Sequence, residues 1–398
     1  MPHYPYLLIG GGMASAAAVE GIDEVEDYDK IAGEQAIGII SSEMHKPYDR
    51  PPLTKALWKG ESKIEEIFRP LSEQVAFHGG RVVTQLEPDA HRVVDDQGTT
   101  YTYDKLLLAT GATPRRLPFG GDNIIYLRTL DTYRQLRGLA DQHERFVVIG
   151  GGFIGSEIAA ALAINGKEVT ILFPQRGIAS KVLPVDVTEF LNGYYRQKGV
   201  EVLAGQEVRA VDGSGTDLTV ATASGRRIAT NVVVAGVGVV PNVELAQLAG
   251  LEVDNGIVVN EMLQTSHPDI YAAGDAANFY DELLDTRRRV EHEDAANSMG
   301  KAAGRAMAGQ GETYSYSPMF YSDLFEIGYE AVGELDARLQ TVADWQTRYE
   351  TGVIYYLRDR RVCGVLLWNV WGKVDEAREL IASGKEFDPQ ALIGTIKA

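Results

Sequence analysis

Residues 147–157 read Val-Val-Ile-Gly-Gly-Gly-Phe-Ile-Gly-Ser-Glu. An apolar run closed by glycines predicts a buried strand that turns sharply into a helix. Gly150, Gly152 and Gly155 fit the spacing G-x-G-x-x-G. In that pattern the first glycine makes the tight turn, the second lets backbone approach a pyrophosphate, and the third lets the helix pack closely on the strand. The helix N-terminus adds free N–H groups and a partial positive charge for phosphate. Glu157 is expected in the first turn, where a carboxylate gains from the helix dipole. One such fingerprint is weak, but the chain opens on a second: Tyr6-Leu7-Leu8-Ile9, then Gly10-Gly11-Gly12-Met13-Ala14-Ser15. Ser15 stands where the third glycine would, a small-for-small exchange.

Each fingerprint is followed by further strands and an exit strand rich in Gly and Pro. Residues 101–109 run into Thr110-Gly111-Ala112-Thr113-Pro114, and residues 232–237 into Gly238-Val239-Val240-Pro241. Internal duplication follows from this repeated order. The expected fold class is α/β, with two Rossmann-like dinucleotide-binding domains. From residue 319 a fresh pattern of strands (353–356, 362–368) and a helix (374–383) reads as a third, α+β domain. The expected boundaries are 1–119 with 240–318, then 120–239, then 319–398. A chain of 398 residues accommodates three domains.

Between these landmarks lie candidate ligand residues. A strand over 36–40, after an acidic stretch at 23–29, runs toward Glu43, placed either to hold a ribose or as a solvated loop charge. The matching acidic residue is missing after the strand 169–173: Phe173 is read as occupying its place, with Gln175 and Arg176 following. The choice between a ribose and a 2′-phosphate stays open there. Pro51 and Pro52 predict a helix start, with Arg50 just outside and able to clamp a phosphate. Lys55 would lie about one and a half turns along that helix, and on spacing alone reads as a solvated lysine. Gly274-Asp275 closes an apolar run and is expected to precede a helix, Asp275 serving either as its N-cap or as a ligand of cofactor hydroxyls. Glu291, His292 and Glu293 precede a further helix over 295–308.

Composition narrows the function classes. The net charge of −18 repels polyanions and argues against nucleic acid as a main partner. The single cysteine, Cys363, excludes an intramolecular disulfide and any CxxC metal or redox site. No apolar stretch is long enough to span a membrane. No targeting segment is read ahead of the first strand, so the cytoplasm is the expected location.

Taken together, the paired fingerprints, the Ala-Thr-Gly-x-x-Pro exit and the late Gly-Asp resemble a flavoprotein with FAD in the first unit and a nicotinamide nucleotide in the second. Within that superfamily the chain resembles the apoptosis-inducing factors. The resemblance is carried by Arg50-Pro51-Pro52-Leu53-Thr54-Lys55, Leu172-Phe173-Pro174, Pro241-Asn242-Val243-Glu244-Leu245-Ala246, the run 287–292, Met319-Phe320-Tyr321-Ser322-Asp323-Leu324, Gly328-Tyr329-Glu330-Ala331 and Tyr356-Leu357-Arg358-Asp359. Ferredoxin and rubredoxin reductases are the next relatives. The resemblance implies an NADH-oxidising FAD enzyme with Lys55 and Glu157 paired beside the flavin, NADH favoured over NADPH, a charge-transfer complex after hydride transfer, and a homodimer on reduction. It assigns to FAD Gly10, Gly12, Ser15, Glu43, Arg50, Lys55, Val83, Thr110, Gly111, Arg128, Asp275, His292 and Tyr321. To NAD it assigns Gly150, Gly152, Phe153, Gly155, Glu157, Gln175, Arg176, Gly238 and Glu330. Lys55, Glu157 and His292 are the catalytic set it implies, with no metal. Tyr321 departs from the tryptophan of the family, keeping a smaller aromatic face for the nicotinamide. The electron acceptor is left as oxygen, a quinone or an iron-sulfur protein. Two other functions stay open: a reductase feeding a ferredoxin or rubredoxin, and a redox-gated, NADH-sensing binding protein.

Overall fold

Each fingerprint strand has a parallel neighbour on both sides in the computed structural model, which describes residues 1–28 and 35–397. Asp29, the end of the acidic stretch, lies outside the described residues. The chain divides into two units: Met1–Asp49, Ile64–Thr113 and Val240–Met319 form one, and Arg50–Lys63, Pro114–Val239 and Phe320–Ala398 the other.

In the first unit the strand His3–Ile9 sits between Ile37–Ser41 and Thr100–Leu108, all parallel. Val75–Gly79 extends one side, and Ile270–Ala272 adds to Thr100–Leu108 on the other. A parallel sheet is covered on both faces, so its strands read as unbroken apolar runs. Leu7, Leu8, Ile37, Ile39 and Leu106 to Leu108 are accordingly fully buried. The fingerprint helix Met13–Asp23 packs against Glu293–Met307. That approach is close because the second helix presents glycines: a Cβ on Gly300 would lie 2.2 Å from the Ala14 carbonyl oxygen, and one on Gly304 2.1 Å from that of Ala18.

The second unit repeats the plan. Its parallel sheet has the order Glu201–Ala204, Glu168–Phe173, Arg145–Ile149, Val232–Ala235, Ile124–Ile125. The fingerprint helix is Phe153–Ile164. The strands Met319–Leu324, Ile327–Gly333, Arg361–Trp368, Thr351–Arg358 and Gln340–Thr347 build a five-stranded sheet in that order, with the helix Val374–Ala382 against it. The α/β class with two dinucleotide folds and a C-terminal α+β part is thus what the chain adopts.

Local readings differ at several points. The segment after Arg50 is not one helix. A 3-10 turn, Pro51–Leu53, is followed by a single α turn, Ala56–Lys59, and the break falls at Lys55, with φ −128° and ψ −100°. The N–H groups of Leu53, Thr54 and Lys55 close the 3-10 turn on the carbonyls of Arg50, Pro51 and Pro52, and the chain restarts after Lys55. Asp275 lies within a 3-10 turn, Gly274–Ala276, so it is not an N-cap. The next element is a strand, Ala277–Asp281, paired parallel to Ile257–Val258 and antiparallel to Thr286–Arg288. The helices Leu130–Gln142 and Val185–Gln197 were not anticipated. The first carries a local signal, a capping box in which Thr129 and Thr132 exchange side-chain and backbone bonds.

Candidate functional site

In the first unit Gly10 has φ +118°, and a Cβ there would fall 2.1 Å from the Ala109 carbonyl oxygen. Only glycine fits. A Cβ on Gly12, by contrast, would meet nothing within 4 Å, so the helix N-terminus faces open space of the kind a pyrophosphate needs. Ser15 is fully buried and its hydroxyl donates to the Gly10 carbonyl at 2.5 Å, pinning the turn from within the helix. Glu43 follows the strand Ile37–Ser41 and accepts a hydrogen bond from the Tyr48 hydroxyl at 2.6 Å. Thr110 is fixed by Asn242, which accepts from its hydroxyl at 2.6 Å and donates back to its carbonyl at 2.8 Å. Gly111, with φ +69°, turns the chain beside it. Arg289 donates to the Asp275 carbonyl at 3.0 Å, steadying that turn. Val83 is buried at the start of its strand, and His292 holds the N-cap position of the helix Glu293–Met307 without its side chain capping it.

The second unit shows the same turn with a third glycine in place. Gly150 has φ +113°, and a Cβ on Gly155 would sit 2.0 Å from the Gly150 carbonyl oxygen. Space above Gly152 is again open. Equivalent bonds align the two copies: Gly10 N–H donates to the Ile40 carbonyl at 2.8 Å, and Gly150 N–H to that of Leu172 at 2.9 Å. Counting on from Ile40 and Leu172, Ser41 matches Phe173 and Glu43 matches Gln175. Phe173 therefore does not occupy the acidic position. Its ring lies beneath the turn, 2.6 Å from where a Cβ on Gly151 would be, and it is fully buried. Gln175 holds the acidic position, exposed, with exposed Arg176 next. Gly238, with φ +99°, presents its carbonyl to Arg115 N–H at 2.9 Å. Phe153 meets Phe320 edge-on at 5.4 Å, and Glu330 accepts from Gly372 N–H at 3.2 Å.

The chemistry of the second unit centres on Glu157. It lies in the second turn of its helix, not the first, and is 3% exposed. Dipole attraction is thus not its support; donors are. Lys55 Nζ stands 2.6 Å from Oε2, and the Thr54 hydroxyl donates to the same oxygen at 2.7 Å. The Ser322 hydroxyl donates to Oε1 at 2.7 Å. The Lys55 side chain is only 12% exposed, and its ammonium lies 5.4 Å from the centre of the Tyr321 ring, within cation–π range. Burial, reinforced by the negative charge of Glu157, pushes the phenols of Tyr195 and Tyr329 well above their ordinary range. Arg50 reaches the Arg128 carbonyl at 2.7 Å, so these two residues also meet. The break at Lys55 turns that side chain toward Glu157 instead of leaving it on a solvated helix face. A buried carboxylate holding a nearly buried ammonium can stabilise negative charge developing beside it. Thr54 and Ser322 were missed in the sequence, and their only signal was adjacency to the Lys55 and Tyr321 motifs.

The glycine turns, open helix N-termini and backbone donors fit two dinucleotides, one per fingerprint. Comparison with known proteins agrees. The family description "Pyridine nucleotide-disulphide oxidoreductase" matches residues 4–300. "Apoptosis-inducing factor, mitochondrion-associated, C-term" matches residues 303–348 and 343–383. The chain is 35% identical over 424 residues to apoptosis-inducing factor 1, mitochondrial, of Dictyostelium discoideum, covering 95% of this chain and 78% of that protein. It is 31% identical over 402 residues to putidaredoxin reductase CamA of Pseudomonas putida, covering 97% and 93%. The solved covalent putidaredoxin reductase–putidaredoxin complex superposes with a TM-score of 0.88 at 30% identity, covering 98% of this chain and 95% of that one. The chain belongs to the pyridine nucleotide-disulphide oxidoreductase family, as an FAD-dependent oxidoreductase that uses NAD(H) and, with one cysteine, carries no redox disulfide of its own.

Proposed function

We propose that this oxidoreductase transfers hydride from NADH to FAD in the manner of an apoptosis-inducing factor, with Lys55 and Glu157 as the electrostatic element of the transfer. The two bound nucleotides supply the redox chemistry. The chain's residues bind, orient and hold charge. Gly10, Gly12, Ser15, Glu43, Arg50, Val83, Thr110, Gly111, Arg128 and Asp275 bind FAD. Gly150, Gly152, Phe153, Gly155, Gln175, Arg176, Gly238 and Glu330 bind the nicotinamide nucleotide, and His292 and Tyr321 flank the reacting rings. Lys55 presents its ammonium where reduction would place negative charge, and Glu157 holds that ammonium in place. The observation that carries this reading is the buried pair itself, Nζ to Oε2 at 2.6 Å. The three-domain division, 1–119 with 240–318, 120–239 and 319–398, belongs to the same reading, as does dimerisation on reduction, which a mass measurement before and after NADH tests.

An anaerobic titration of the FAD-loaded protein with NADH and NADPH decides the main point. Near-stoichiometric bleaching by NADH, with a long-wavelength band that persists in air, is the expected result. Rapid reoxidation without such a band, or reduction by NADPH alone, would overturn it. The second reading, reduction of an iron-sulfur protein, is favoured by the 31% identity to putidaredoxin reductase. It requires that a small iron-sulfur acceptor accelerate NADH turnover strongly.

A further inference from the structure

Glu157 is gripped on both oxygens, and the two grips differ. Thr54 and Lys55 share Oε2, while Oε1 has a single donor among the described residues, the Ser322 hydroxyl at 2.7 Å. Ser322 is 0% exposed. The terminal torsion of a glutamate is soft and roughly two-fold, so a rotamer preference alone does not fix which way the carboxylate plane faces. A second donor on the other oxygen does. Without it, the carboxylate is free to turn and to carry Oε2 away from the Lys55 ammonium, whose four-carbon stem is itself flexible. Ser322 is the chain neighbour of Tyr321, whose ring stands 5.4 Å from Nζ. Two consecutive residues of one strand, Met319–Leu324, thus engage both members of the ion pair.

We propose that Ser322 is a positioning residue for flavin reduction: its hydroxyl fixes the plane of the Glu157 carboxylate and so holds the Lys55 ammonium at one place. The proposal rests on the reading that the Lys55–Glu157 pair acts on the reacting ring. Its consequence is that the C-terminal sheet, which contributes no fingerprint, controls the rate of the hydride step through a single hydroxyl.

The test is stopped-flow reduction of the FAD-loaded holoenzyme by NADH under anaerobic conditions, separating the limiting rate from the NADH dissociation constant. Ser322→Ala should lower the limiting rate about tenfold, the scale of a misplaced charge in a preorganised site, and change NADH affinity less than about twofold. Ser322→Thr, which restores a hydroxyl, should recover most of the loss. In a Lys55→Met background Ser322→Ala should have almost no further effect, because the residue acts through the pair. A wild-type limiting rate in Ser322→Ala, or an equal loss in the Lys55→Met background, would overturn the proposal while leaving the pair's role intact. A wild-type rate in Lys55→Met would instead sink the underlying reading, and this inference with it. Should Ser322→Ala fail to retain FAD, Ser322→Cys, a similar volume with a weak donor, takes its place: a slowed limiting rate supports the proposal and a wild-type rate overturns it.

Discussion

An amide at position 157 could still accept from Lys55 and Thr54 through its oxygen, and the Ser322 hydroxyl could turn to accept from its N–H, but the Lys55 ammonium would lose its buried counter-charge. Glu157→Gln should therefore slow flavin reduction by NADH more than tenfold and destabilise the protein by about 3 kcal/mol, the scale of stranding one partner of a buried ion pair. Stopped-flow reduction and thermal unfolding of the same preparation check both, and a wild-type reduction rate would remove Glu157 from the mechanism. Gln175 makes a second case. It stands where Glu43 stands in the first unit, so Gln175→Glu should raise the ratio of NADH to NADPH efficiency about tenfold, a carboxylate accepting ribose hydroxyls and repelling a 2′-phosphate. An unchanged ratio would place the ribose elsewhere. Glu157 was legible because the fingerprint names it. Its hydroxyl partners were not, since Thr54 and Ser322 lie 103 and 165 residues away in sequence and short hydroxyls leave no periodic trace. Phe173 misled for a related reason: position along a strand is readable, but which residue slides beneath the turn is decided by register.

At the level of elements, the strands and fingerprint helices were legible because they are local events, apolar runs closed by glycine. The strand Ala277–Asp281 was not, because the Gly-Asp before it reads as a helix start although the segment pairs with Ile257–Val258 and Thr286–Arg288. Nor was the restart at Lys55, whose partner Glu157 lies 102 residues away in sequence. Helix packing in the first unit is another such dependence. Gly304 brings Glu293–Met307 so close to Met13–Asp23 that a Cβ would lie 2.1 Å from the Ala18 carbonyl oxygen. Gly304→Val should force the helices apart at a cost of about 1–3 kcal/mol and lower FAD retention, because Met13–Asp23 carries the first fingerprint. Full FAD occupancy at an unchanged melting temperature would contradict this. The turn joining Arg92–Asp95 to Thr100–Leu108 carries a pH dependence. Burial opposes ionisation of Asp95, but the Arg81 guanidinium at 2.6 Å, the N–H groups of Thr99 and Gln97 and the Tyr101 hydroxyl outweigh it and hold the carboxyl at about 2. Since 3.8 is its ordinary value, this network contributes stability above about pH 4 that is lost as the pH falls toward 2. Asp95→Asn should lower the melting temperature at neutral pH and flatten its decline across that window; an unchanged decline would assign acid sensitivity to other carboxylates.

For the whole molecule the deciding property is charge. A chain with 38 basic and 56 acidic residues carries −18 at neutral pH. An acidic iron-sulfur carrier approaching it meets repulsion unless basic residues are concentrated at the docking face. The screening length falls from about 10 Å at 0.1 M salt to about 3 Å at 1 M, weakening repulsion and steering alike, so salt acts with opposite sign in the two cases. If repulsion governs the encounter, added salt speeds it; if a complementary face steers the carrier, added salt slows it. The apoptosis-inducing-factor reading expects NADH oxidation to respond weakly to such a carrier, by less than about twofold, and whatever response exists to grow with ionic strength. Steady-state NADH oxidation with an acidic [2Fe–2S] protein, titrated with sodium chloride, measures this directly. Strong stimulation that collapses with salt would reveal a steered complex despite the net charge, and the acceptor would then be an iron-sulfur protein. Weak stimulation that rises with salt would leave the electrons to a small neutral acceptor, on which net charge has no hold.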